Sequence, residues 1–163
     1  MRFRYIAAQY GFGPNFDHIA VPASAEKILT EMSDALVGTD DLIAIYIPKT
    51  TQAGYPADNM RGKVVGGVSL LNMPAGKGIN DYFYDDLEKR RRWPIGWPCV
   101  AVLHPPVDEC PSLEYLVEMY HGSNSSSYAA RLHNGPVQLD WAVSNGLSRW
   151  FTRLAAQSMD DRS

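Results

Sequence analysis

Cysteine is nearly absent from this chain. Cys99 and Cys110 are too few for a disulfide framework, and they stand at no metal-finger spacing. Cys99 sits in an apolar run and reads as a small core residue. Long apolar runs are missing as well. Nothing approaches the about 18 apolar residues of a membrane span, and Met1-Arg2-Phe3-Arg4-Tyr5-Ile6 has no signal-type apolar core. The expectation is a cytoplasmic protein with no membrane partner. There is no excess of positive charge either: 15 Lys and Arg face 18 Asp and Glu, a net charge of −3. That excludes a histone-like coat held on duplex DNA by charge alone.

Catalytic signatures are equally scarce. Gly-X-Ser-X-Gly is absent, so no serine elbow is expected. Gly62-Lys63-Val64 lacks the Ser or Thr and the helix that follow the lysine of a phosphate loop. His18, His104, His121 and His133 form no i,i+4 pair and have no cysteine at ligand spacing. A nuclease strand would carry a carboxylate two residues before its lysine, and Arg61 stands there before Lys63. The acidic Asp81, Asp85, Asp86 and Glu88 read more simply as a solvated loop than as a divalent-metal site. Neither a metal nor a cofactor is expected.

What the chain does have is aromatic side chains and turn formers. It carries nine Tyr, five Phe and four Trp, with eleven Pro and thirteen Gly, in 163 residues. That length makes one domain with a sizeable core, here set at 1–157, with 158–163 as a frayed tail. Strands are expected at Phe3 to Gln9, Asp41 to Pro48, Lys63 to Asn72 and Trp97 to Leu103. Ser24 is a candidate cap for a helix over 25–36, whose Ile28, Leu29, Met32 and Leu36 share a face. Ser112 is a candidate cap for a short helix at Leu113 to Tyr120. Asp140 opens the clearest helix, with Val143, Leu147, Trp150, Phe151 and Leu154 at steps of three and four. Gly146 within it marks close packing. Gly66 and Gly67 interrupt an apolar strand, which calls for a bulge, a barrel corner or a close approach. The long connection from Pro48 to Arg61 is either functional or floppy, and Gly122 to Ser127 reads as a flexible turn.

Three aromatics are the best candidates for a ligand. Tyr46 ends a strand beside the long connection, Trp93 follows the basic run Lys89-Arg90-Arg91-Arg92, and Trp97 lies between glycine and proline. Stacking on a base is worth about 1–3 kcal/mol per aromatic, although filling the core is the commoner fate of such residues. The basic run itself reads equally well as a solvated loop.

Asp41 to Tyr46, Gly62 to Leu71 and Arg92 to Val102 follow one another in an order that resembles the PUA-like superfamily. The similarity is greatest to EVE-type domains, which bacterial restriction systems use to read modified bases. One departure is that Tyr5 is followed by Ile6 where EVE domains carry Tyr-Trp. The resemblance implies an α+β fold: a bent, mixed β-barrel with helices packed at its ends. It implies a nucleic-acid partner, RNA or DNA, with a modified base held in an aromatic pocket between barrel and loops. On this reading Tyr46 and Trp93, with Trp97 beside them, stack on the base. Asn59, Ser69 and Asp81 read its polar edge, and Lys49, Arg61, Arg90, Arg91 and Arg92 hold phosphates. A second branch, the ASCH domains, contains hydrolases that use lysine, threonine and a carboxylate. Lys49-Thr50-Thr51 supplies two of those types, but the strand from Lys63 to Leu71 has no Asp or Glu. A module that binds another protein through Trp93 and Trp97 is the remaining alternative.

Overall fold

The computed structural model describes residues 2–49, 58–120 and 125–162. Six strands, β1 (Arg2–Ala8), β2 (His18–Val21), β3 (Asp41–Tyr46), β4 (Val64–Leu70), β5 (Ile95–Leu103) and β6 (Val137–Gln138), form one sheet in the order β2-β5-β4-β3-β1-β6. Among the described residues five α-helices surround it: α1 (Glu26–Leu36), α2 (Leu87–Arg92), α3 (Leu113–Tyr120), α4 (Ser125–Leu132) and α5 (Trp141–Arg162). The chain is therefore an α+β domain on a bent, mixed half-barrel. No described helix is long and apolar enough to cross a membrane.

The bend is built into β5. Its first half pairs with β2, from His18 opposite Pro98 to Val21 opposite Ile95. Its second half pairs with β4, from Cys99 opposite Leu70 to Leu103 opposite Gly67. β1 and β3 run parallel, Arg2 lying opposite Asp41 and Ala8 opposite Tyr46. This pairing sets the ends of both strands, and the residues just beyond them, side by side.

Each face of the sheet has its own core. Leu29, Met32 and Leu36 of α1 pack on Tyr5, Ala7, Ile43, Ile45 and Val65. On the other face, helices α3, α4 and α5 bring Leu116, Tyr128, Leu147 and Phe151 onto Phe3, Ile6, Leu42 and Ala44. Phe3 and Ile6 share a face because the register shifts between Phe3 and Tyr5, a bulge that reverses the alternation. The glycines of β4 answer to close approach. A Cβ on Gly66 would meet the Leu103 carbonyl and the Phe12 ring, and one on Gly67 would lie 2.9 Å from the Phe3 ring. Gly146 does the same for α5, where a Cβ would strike the Tyr120 ring of α3.

Three local expectations need correction. Ser24 does not cap α1. It lies inside a short 3-10 turn at Ala23–Ala25, and α1 starts with no side-chain cap. The basic run is not a loop. It is α2, held by the Asp86 carboxylate, which accepts from the Glu88 and Lys89 amides at 3.1 Å each. Its four cations crowd the last turn, where the helix dipole favours positive charge. Strand β2 is the third, a short element within a stretch that carries no expected strand. By contrast Ser112 does cap α3, accepting from the Tyr115 amide at 3.0 Å. Most of the Pro48 to Arg61 connection, including Thr50 and Thr51, and residues 122–124 of the serine-rich segment lie outside the described residues; Ser125–Leu132 is helix α4.

Candidate nucleic-acid interface

A cavity of about 350 Å³ opens where β1 and β3 end together. That volume falls within the about 300–1,000 Å³ usual for small-molecule sites. Ala8 and Tyr10 come from the end of β1, Tyr46, Pro48 and Lys49 from the end of β3, Arg92 and Trp93 from the end of α2, and Leu132 and His133 from the end of α4. Apolar and aromatic surface forms the walls. Lys49, Arg92 and His133 place cationic or protonatable groups among the lining residues.

The aromatic wall is a cluster. Trp93 stacks on Tyr10 with ring centroids 4.4 Å apart and planes 24° from parallel. Tyr84 closes the group, edge-on to Tyr10 at 5.5 Å and tilted to Trp93 at 5.9 Å. Lys89 lies about equally far from Tyr10 and Tyr84, 5.5 and 5.6 Å from their ring centroids. Burial pushes the Lys89 ammonium pKa down, opposed by the Asp86 carboxylate. Burial pushes the Tyr84 phenol up, and that of Tyr46 as well, the latter opposed by the charge and backbone of Lys49. Both phenols stay protonated and keep a hydrogen to donate at neutral pH.

Lys49 stands at the cavity with its Nζ donating to Glu114 Oε2 at 3.0 Å. That hydrogen bond, and then the charge of Glu114, raise the Lys49 pKa. A nucleophilic lysine needs the reverse, a depressed pKa from burial. The geometry equips Lys49 to meet an anion rather than to attack a carbonyl. Among the described residues no three His, Cys, Asp or Glu side chains converge to hold a metal ion.

Of the expected site residues, Tyr46, Lys49, Arg92 and Trp93 meet at this cavity. Arg91 is exposed on the same helix. Arg90 turns the other way: its guanidinium lies 4.0 Å from the Phe83 ring centroid, and its Nε reaches the Tyr84 carbonyl at 3.4 Å. Trp97 does not line the cavity. It packs on the α1-side core, and its Nε1 donates to the Leu71 carbonyl at 2.7 Å. Ser69 is within the ladder opposite Val100. Asp81 caps a 3-10 turn by accepting from the Gly78 amide at 2.8 Å. Asn59 is exposed in the turn at Asp58–Met60, and Arg61 is half-buried just after it.

Tyr10, Leu132 and His133 are lining residues that the motifs do not mark. Tyr10 carries one faint signal, a tyrosine placed between a strand end and glycine. His133 has none, since its place depends on α4 folding back over β1.

No protein-family model matches this chain, and no curated protein matches it in sequence. Among solved structures its fold is similar to that in the crystal structure of the Pho92 YTH domain in complex with m6A. The match has a TM-score of 0.52 and covers 92% of this chain and 82% of the other, at 8% sequence identity. At that identity the likeness is one of fold. The bent half-barrel flanked by helices is thus shared with a YTH domain, and is not particular to the EVE and ASCH domains that the motifs resemble.

Proposed function

We propose that this protein binds nucleic acid and receives one base, swung out of its stack, in the cavity walled by Tyr10, Tyr46 and Trp93. The observation that carries the reading is the cavity itself, an apolar recess with three aromatic walls and cations among its lining residues. A modified base differs from its parent by a small group, which is best judged once the base is out of the helix. Aromatic walls favour any base by about 1–3 kcal/mol per stacked ring. The phenol of Tyr46 can donate to a base edge. Lys49, Arg91 and Arg92 would hold the flanking phosphates. The YTH structure of similar fold was solved with m6A, which supports a modified base as the ligand. Binding without turnover is the preferred reading, because Lys49 is held as an ammonium by Glu114.

The test is a panel of short single strands, RNA and DNA, carrying one m6A, one 5-methylcytosine or one unmodified base. Each strand has an abasic partner at the same position. The protein should prefer a base-bearing strand over its abasic partner, and binding should weaken steeply as salt rises. Replacing Arg90, Arg91 and Arg92 together by alanine should weaken binding to every strand alike. Equal affinity for base-bearing and abasic strands throughout the panel would overturn the reading.

A further inference from the structure

Gln9 lies between two walls of the cavity and touches no ligand position itself. Its neighbours Ala8 and Tyr10 both line the recess, yet Gln9 is fully buried. A buried primary amide is costly unless its donors and acceptors are met. Here they are met on both sides. Gln9 Nε2 donates to the carbonyls of Ala8 at 2.7 Å and Ala20 at 2.8 Å. Gln9 Oε1 accepts from the Ala20 amide at 3.1 Å and from the Tyr84 hydroxyl at 2.9 Å. The partners fix the orientation of the amide: two carbonyls face the nitrogen, an N–H and an O–H face the oxygen.

The network runs on into the aromatic wall. The Tyr84 hydroxyl, having given its hydrogen to Gln9, accepts from the Tyr10 amide at 2.8 Å. Tyr10 then supports Trp93 through the 4.4 Å stack. In the other direction the Gln9 backbone N–H donates to the Tyr46 carbonyl at 2.9 Å. One residue therefore ties Tyr46 on β3 to Tyr10 beyond β1, and both to β2 and the segment holding Tyr84. Core packing alone needs no such polar link, since a buried network is worth having only when every member is satisfied.

We infer that Gln9 and Tyr84 are positioning residues, which set Tyr10 and Trp93 at the angle a stacked base requires. This rests on the base-cavity reading proposed above. The variant that tests it is Tyr84→Phe. It keeps the ring against Tyr10 and Trp93 and removes only the oxygen between Gln9 and the Tyr10 amide. The readout is the ratio of base-bearing to abasic affinity, taken with the tightest pair of the panel. That ratio should fall about three- to tenfold, the equivalent of one lost hydrogen bond. Affinity for the abasic strand and its salt slope should not change, because neither depends on the wall. Gln9→Met, which keeps the volume and loses the amide, should lower the ratio at least as far; should it fail to fold, Tyr84→Phe carries the test alone. A Tyr84→Phe protein that melts earlier but keeps the parent's ratio would make the pair plain fold stabilisers and overturn the inference, while the base-cavity reading stands. A parent with no base preference would remove that reading, and this inference with it.

Discussion

Trp93 and Trp97 are four residues apart, and the chain uses them in opposite ways. Trp93 is the C-cap of α2, before β5 begins, so it lies outside the ladder. Its ring is free to stack on Tyr10 and face the cavity. Trp97 is inside the ladder, opposite Ile19, and its indole N–H is committed to the Leu71 carbonyl. The contrast shows that composition around an aromatic does not decide its role. What decides is whether the backbone has already entered the sheet, because a strand residue is claimed by its neighbours on the same face.

Exchanging these residues gives the largest effects. Trp93→Ala should lower unfolding free energy by about 3–5 kcal/mol, the usual cost of emptying a buried Trp site, and the folded fraction should lose its preference for a base-bearing strand. Urea unfolding and the abasic comparison, run on the same protein, measure both. Trp97→Phe keeps a ring and removes the N–H, so stability should fall by about 0.5–1.5 kcal/mol with the base preference intact. Loss of base preference in Trp97→Phe, or its survival in Trp93→Ala, would reverse the assignment of the two indoles.

Arg90 and Arg92 repeat the contrast on one short helix with a smaller effect. Arg90 covers Phe83, whereas Arg92 is exposed among the cavity-lining residues. Arg92→Ala should make the salt dependence of single-strand binding shallower by about 0.7 in the log–log slope, the share of one phosphate contact. Arg90→Ala should leave that slope alone and cost about 0.5–1 kcal/mol of stability through the lost cation–π contact. Equal slopes for the two variants would mean that the phosphates do not pass along this side of the cavity.

The sequence makes the long elements legible and leaves the short ones dark, for one physical reason. α1 and α5 bury a periodic apolar face, and β3 and β4, covered on both sides, are continuous apolar runs; either signal is written in consecutive residues. β2 has four residues and exists because β5 is there to pair with it. α2 buries no residue, so no apolar stripe announces it; it rests on the Asp86 cap and on charges suited to its dipole. The candidate site divides in the same way. Tyr46 and Trp93 can be picked out because each closes an element next to turn formers or charge. Tyr10, Gln9 and Tyr84 acquire their meaning only when the parallel pairing of β1 with β3 sets 8–10 beside 46–48 and the 79–86 segment folds over them. Such long-range pairings leave no local pattern to read.

The smallest expected effect concerns Glu114, which sits on α3 and faces the cavity only through Lys49. Both side chains are more than half exposed, so their ion pair is screened and adds little to the fold. Its consequence is for binding. While Glu114 holds Lys49, a phosphate must displace that carboxylate to reach the ammonium, and the freed Glu114 takes up a cation, so the net counterion release there is small. Glu114→Gln removes the competing charge and leaves the lysine in place. Its single-strand binding should then tighten at low salt, and the log–log salt slope should steepen by about 0.7, one further phosphate neutralised. Lys49→Ala in the same background should return the slope to the parent value. This change mirrors that of Arg92→Ala in sign, so the two variants place the strand on both sides of the cavity or on one. A slope that steepens in Glu114→Gln and stays steep after Lys49→Ala would assign the effect to the general loss of a negative charge on α3. A slope unmoved by either variant would confine the phosphate track to the α2 side, where Trp93 already stands.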